Sequence, residues 1–259
     1  MVGAVVGAPA LTLPRRLTTA DWLRVGARIA AMAGLLLAAI PLFYLWRVLG
    51  AANPWPRIFL GGVASIAGVQ IVTRGTRAAG STLLIANHVS WIDIPALSRI
   101  TGCAFVGHDG LAAMPLLKWL CKLNDTVFVA RHDRASVARQ VAAVRSAVAR
   151  MHALAIFPEG TTSDGTGVLP FKSALLSAFE PLPADVAVQP VALEYGANAA
   201  QVAWIGEEPG LDNFLRIVAA RAPLVVTVRF MPPLAGADLA SRKTMAAAAR
   251  HAIAQALAR

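Results

Sequence analysis

The chain has 259 residues, of which 57% are hydrophobic and 15% charged, and its mean hydropathy is +0.59. An ordinary soluble domain carries more charge and less apolar surface, so part of this chain is expected to meet lipid. The net charge of +10 suits nucleic acid, anionic lipid headgroups or an acidic carrier; sparse aromatics and dispersed basic residues argue against nucleic acid, and the hydropathy favours lipid.

Residues 1–21 are irregular and include Pro14, Arg15 and Arg16. The apolar stretch that follows is too long for a secretory leader and has no small-residue cleavage site after it. From Ile29 to Trp46, 18 residues carry no charge, which is the lower limit for a spanning helix. Arg15, Arg16, Arg24 and Arg28 precede that run and would hold its N-terminal end in the cytoplasm. Asn53-Pro54-Trp55-Pro56 then breaks the helix. A second apolar run, Ile58 to Val72, contains Gly61, Gly62 and Gly68 and is suited to a re-entrant or surface-lying helix. Together the runs read as a helical hairpin embedded in the membrane, with residues 1–75 as an N-terminal anchoring region.

Beyond Arg77 short apolar runs alternate with helical stretches. Strands are expected at 81–86, 126–130, 153–157, 186–193, 202–205 and 224–230. Helices are expected at 94–100, 111–123, 135–150 (with Asp133 as N-cap), 171–180 and 241–258. Such alternation predicts an α/β domain over residues 76–259, with a largely parallel sheet flanked by helices. The two cysteines, Cys103 and Cys121, are too few for a disulfide framework or a zinc site and read as buried thiols.

Strand 81–86 runs into Asn87-His88-Val89-Ser90-Trp91-Ile92-Asp93. Sites in open α/β sheets gather at the carboxyl ends of strands, so His88 is well placed. Residues five apart on a regular helix point away from each other; a His88–Asp93 contact therefore needs His88 in the loop, folded back onto the first helical turn. Ser90 with Asp93 forms a capping-box-like pattern, and Pro95 suits a first turn. Asp93 would accept the Nδ1–H of His88 and leave Nε2 free as a base. Phe157-Pro158-Glu159-Gly160-Thr161-Thr162-Ser163 also leaves a strand, and offers hydroxyls, backbone N–H groups and a glycine for close approach to an anion. By itself it is no more than a polar turn. Arg131, closing strand 126–130, has the position of an anion clamp.

The ordered set Asn87-His88-x4-Asp93, Arg131, Phe157-Pro158-Glu159-Gly160-Thr161 and Val188-Gln189-Pro190-Val191 resembles the glycerolipid acyltransferase family, whose type member is 1-acyl-sn-glycerol-3-phosphate acyltransferase. The N-terminal hairpin looks like that family's anchor. The resemblance implies an acyltransferase with His88 as general base and Asp93 orienting it. Arg131 would contact phosphate, Glu159 and Gly160 would belong to the acceptor site with Asn87 and Thr161 beside them, and Pro190 would shape a pocket. It implies direct transfer from acyl-CoA or acyl carrier protein to a lysolipid hydroxyl, with no metal and no bound cofactor. It places the protein in a bacterial inner membrane, with the catalytic domain on the cytoplasmic face. Where many members carry Arg after Glu-Gly-Thr, this chain has Thr162, and Lys172 is the candidate to compensate. The leading acceptor is therefore 1-acyl-sn-glycerol-3-phosphate, with a lyso-aminolipid such as lyso-ornithine lipid as the alternative. A serine hydrolase is disfavoured because no Gly-x-Ser-x-Gly occurs. A non-catalytic lipid-binding protein is the remaining alternative, distinguished by binding that survives loss of His88.

Overall fold

The computed structural model describes residues 17–108, 115–129 and 153–258. Within them lie seven strands: β1 (Val69–Arg74), β2 (Ser81–Ala86), β3 (Ala104–His108), β4 (Val127–Val129), β5 (Ala153–Ile156), β6 (Val186–Glu194) and β7 (Leu224–Phe230). They form one sheet in the order β1-β7-β6-β2-β5-β3-β4. Every neighbouring pair is parallel except β6 with β7. The helices are α1 (Thr19–Val48), α2 (Trp55–Ile66), α3 (Asp93–Thr101), α4 (Pro115–Leu123), α5 (Ala199–Val202), α6 (Gly210–Val218) and α7 (Arg242–Leu257). The expected α/β class is the one observed.

The central strands are apolar on both faces because both faces are covered. Leu84 and Ala86 of β2 enter the core that includes α2 and α3, whereas Leu83 and Ile85 enter the core formed with α7. The alternation is that of a strand between two layers.

The second apolar run is not one helix. It ends as α2 at Ile66 and resumes as β1 at Val69. Gly68 makes the joint, with φ +86° and a would-be Cβ only 2.8 Å from Arg28 Nη2; a side chain there would meet both backbone strain and the guanidinium. The sheet therefore begins before residue 76, because β1 pairs along its length with β7. The expected strand at 202–205 is likewise corrected. Val202 closes the single turn α5, and Ala203 leads into a loop whose backbone accepts from Asn213 and Arg216, so its apolar residues are buried or half-buried without a ladder. The 171–180 segment is a 3₁₀ helix, Ser173–Phe179. The expected 135–150 helix and its Asp133 cap lie outside the described residues.

α1 starts with a capping box between Thr18 and Asp21. Among the described residues it alone is long and apolar enough to cross a membrane, with mean hydropathy 2.1 over its best window and only 11% of that window buried. Leu37 and Leu45 are among its exposed apolar residues. Its base is fastened to the α/β domain. Arg28 Nη1 donates to Val218 O at 2.8 Å and Ala220 O at 3.0 Å, the carbonyl end of α6, where a cation is favoured. Arg221 pairs with Asp21 at 2.8 Å. α2 runs back along α1 and is stitched to α3, where Arg57 donates to the carbonyls of Arg99 and Ile100.

Candidate active site

β2, β5 and β6 are mutually parallel, so their carboxyl ends share one edge of the sheet, where sites in such folds form. There β2 delivers Asn87 and His88, β5 delivers Phe157 to Gly160, and β6 delivers Tyr195.

His88 Nδ1 lies 2.7 Å from Asp93 Oδ2. The loop folds back as the spacing requires, because the same Oδ2 accepts the backbone N–H of Val89 at 2.6 Å and of Ser90 at 2.9 Å. Only half of the expected capping box forms: Ser90 Oγ turns instead to Asn213 Oδ1. Asp93 is fully buried. Its Oδ1 accepts from the hydroxyl of Tyr195, a residue 102 positions away that no sequence pattern marked. Phe157 stacks on the imidazole with ring centroids 4.2 Å apart and planes 15° from parallel. The His88 carbonyl accepts from Ser163 N at 2.7 Å and from Ser163 Oγ at 3.0 Å. Ring, backbone and partner are thus all held, and Nε2 is the nitrogen left for chemistry.

Asn87 does not face the cavity. Its side chain bonds both sides of Leu193, joining β2 to β6. Glu159 is 1% exposed; Oε1 accepts from the His88 backbone N–H at 3.2 Å, while Oε2 is buried without a well-formed hydrogen bond. Burial is the main reason its pKa rises to about 7. The neighbouring Asp93 charge adds to the rise, and the N–H groups of His88 and Leu169 with the Arg250 guanidinium oppose it. Gly160 closes a tight turn onto Phe157 O at 3.1 Å, with φ +67°.

A cavity of about 730 Å³ is lined by His88, Gly160, Thr161 and Thr162 and runs between α1 (Leu36, Phe43), α2 (Phe59, Leu60) and α4 (Leu120). Glu207 and Glu208 also line it, and no described lining residue is Lys or Arg. Glu208 is committed to Arg216, at 2.7 Å. Thr162 Oγ1 donates to the Trp204 carbonyl, so the residue that departs from the family pattern fastens the loop bearing Glu207 to the loop after β5. Lys172 is exposed and is not a lining residue. Neither is Pro190, which is buried in β6 opposite Ile85. It precedes the β7 ladder, which starts at Val191, so its missing N–H breaks no bond there. Its neighbour Gln189 instead binds Thr76 O, Met231 O and Ala78 N. Arg131 lies outside the described residues. Cys121 lines the cavity, whereas burial pushes the Cys103 thiol up to about 12, leaving it inert as a nucleophile.

The family model described as Acyltransferase matches residues 43–194. The lyso-ornithine lipid O-acyltransferase of Rhodobacter capsulatus is 31% identical over 89% of this chain and 88% of its own length. That of Brucella abortus is 35% identical over 86% and 90%. The 1-acyl-sn-glycerol-3-phosphate acyltransferase of Neisseria meningitidis is 30% identical over 63% and 64%. The crystal structure of the 1-acyl-sn-glycerophosphate acyltransferase PlsC from Thermotoga maritima superposes with a TM-score of 0.63 at 20% identity, covering 92% of this chain and 96% of that one. The match of family model and long relatives settles the assignment: this chain belongs to the acyltransferase family.

Proposed function

We propose that the protein acylates the hydroxyl of a lysolipid at a membrane surface, with His88 as general base. The observation that carries this reading is the His88 Nδ1–Asp93 Oδ2 pair at 2.7 Å beside a largely apolar cavity of about 730 Å³. His88 Nε2 takes the proton of the acceptor hydroxyl as that oxygen attacks the donor's thioester carbonyl. The tetrahedral intermediate collapses, the C–S bond breaks, and the departing thiolate recovers the proton from Nε2. Transfer is direct, with acyl-CoA or acyl carrier protein as the co-substrate.

The acceptor we favour carries an amine, as lyso-ornithine lipid does. Two long relatives bear that name, and the charged side chains at the cavity wall, among the described residues, are acids. A second reading, 1-acyl-sn-glycerol-3-phosphate, is supported by the relative of that name. The α1–α2 hairpin enters the inner membrane of the cell, and Arg24 and Arg28 at its base favour the cytoplasmic face for the catalytic part.

The test is thiol release by the purified chain in lipid nanodiscs, with each donor and each lysolipid in turn. Turnover is expected with both acceptors and a higher kcat/KM with the aminolipid. Lipid binding without thiol release would leave only a lipid-binding protein.

A further inference from the structure

We propose that Tyr195 is a positioning residue for acyl transfer: its hydroxyl, donating to Asp93 Oδ1, fixes the carboxylate that orients His88 and sets how tightly that carboxylate holds the imidazolium.

The donors to Asp93 divide unequally. Oδ2 receives His88 Nδ1, Val89 N and Ser90 N, and Oδ1 receives Tyr195. A carboxylate torsion is broad and weakly held by its own rotamer preference. With Tyr195 removed, a fully buried oxygen loses its donor, an expensive loss for a charged group, while Oδ2, still anchored by Val89 N and Ser90 N, faces the imidazole with charge that Tyr195 no longer draws away.

The phenol is delivered with little freedom. Tyr195 is 3% exposed and directly follows β6. The β2–β6 register pairs Ala86 with Val191, Asn87 clasps Leu193, and the Tyr195 carbonyl accepts Asn198 N at 2.9 Å. Burial, then the Asp93 charge, push the phenol's pKa well above its usual value; it remains a proton donor throughout the working range.

The chemistry gives this contact a direction. When His88 takes the acceptor's proton, imidazolium faces Asp93. Donation from Tyr195 draws charge toward Oδ1 and moderates the pull on the imidazolium, so that the proton can move on to the thiolate. Without it the imidazolium is held more tightly and the free base persists only at higher pH. Among the described residues Glu159 also faces His88, its Oε1 accepting the His88 backbone N–H and its carboxyl pushed up to about 7 by burial, and Glu207 and Glu208 line the same cavity. A rate profile must therefore be read beside the His88 ring resonance.

The experiment uses the full chain in nanodiscs, with ¹³C-histidine for the ring signal. Tyr195→Phe is expected to lower kcat roughly tenfold, as loss of a bond to a charged group implies, with both KM values within about twofold. The acid limb of kcat and the His88 ring titration move together to higher pH. The chain has two tyrosines, so 3-fluorotyrosine in a Tyr44→Phe background labels Tyr195 alone. The more acidic phenol donates more strongly, and both readouts move to lower pH. Opposite displacement by the two changes is what packing alone does not produce, and the fluorinated chain keeps the test open should Tyr195→Phe fold poorly. Unmoved profiles, or displacement in one common direction, overturn the proposal. It rests on His88 being the base: full turnover by His88→Ala removes that reading and this one together, whereas a dead His88→Ala beside an unmoved Tyr195→Phe overturns Tyr195 alone.

Discussion

The side chain of Asn87 closes both hydrogen bonds of Leu193, accepting from its N–H at 2.8 Å and donating to its carbonyl at 3.1 Å. Both partners are buried, so the first motif is locked to β6, the strand that carries the last. Asn87→Ala should lose about 2–6 kcal/mol, twice the loss for leaving a buried group unpaired. Thermal unfolding measures it, and a stability within about 0.5 kcal/mol of wild type would show that water replaces the side chain.

His88→Ala should reduce thiol release by about 10²–10⁴-fold, with circular dichroism and melting unchanged. Asp93→Asn should also slow turnover, because the amide cannot stabilise an imidazolium. It should be less stable as well, since Oδ2 collects two backbone N–H groups besides the ring.

Glu159 gives a pH signature in stability. In the folded chain Glu159 holds its proton up to about pH 7, whereas in the unfolded chain it loses it near 4.5. Stability from this group is therefore full below about 4.5, falls as pH rises through that interval, and is lowest above 7. Glu159→Gln should unfold at higher denaturant than wild type at pH 8, by on the order of 1–3 kcal/mol, and the gap should close toward pH 5. A gap independent of pH would mean that the carboxyl is not held neutral.

Glu207 and Thr162 test the acceptor. Glu207→Gln should lower kcat/KM for the aminolipid while sparing 1-acyl-sn-glycerol-3-phosphate. Thr162→Arg places a cation at the cavity wall and breaks the bond to Trp204, so the preference ratio should swing toward the phosphate acceptor by about 10-fold, one charge-assisted bond. Identical ratios in all three proteins would separate acceptor choice from these side chains.

Truncation tests where the α/β domain starts. A chain beginning at residue 76 lacks β1 and leaves β7 as an unpaired edge, with Val226 and Val228 in the core it used to close. Such an edge aggregates. One beginning at 68 keeps the strand. Light scattering should find the longer piece the better behaved, and equal behaviour would mean that β1 adds nothing to the sheet.

The parts of this architecture legible in sequence are those with a local signature. β2, β5, β6 and β7 announce themselves as apolar runs between breakers, and His88 with Asp93 by a spacing that makes sense only in a folded-back loop. β1 was hidden because it continues an apolar run already begun by α2, with one glycine between them. Residues 202–205 carry the apolarity of a strand because they are buried or half-buried, but as the end of a helical turn and the loop after it. β3 (Ala104–His108) and α6 carry no such signature: Gly107 and His108 cut short the apolar run of the first, and Asn213 occupies the buried face of the second. Tyr195 could not have been found: its partner is set by the register of two strands, which no local pattern encodes. Pro190 and Asn87, which the resemblance assigns to the substrate site, face protein instead, one in a strand and one on its neighbour's backbone.

Arg28 fastens the entry of the α1–α2 hairpin to α6, and Gly68 passes its exit straight into β1. Both ends of the apolar loop are therefore tied to the same side of the sheet, with no slack in the tether. With the hairpin in the bilayer, residues 17–28 and the catalytic cavity face the same leaflet, and reagents or proteases confined to the other side should reach neither. Acceptor and product then travel by lateral diffusion in a single monolayer. On the proposed orientation, each turnover would add a second chain to a lipid in that monolayer alone and enlarge its area relative to the opposite one.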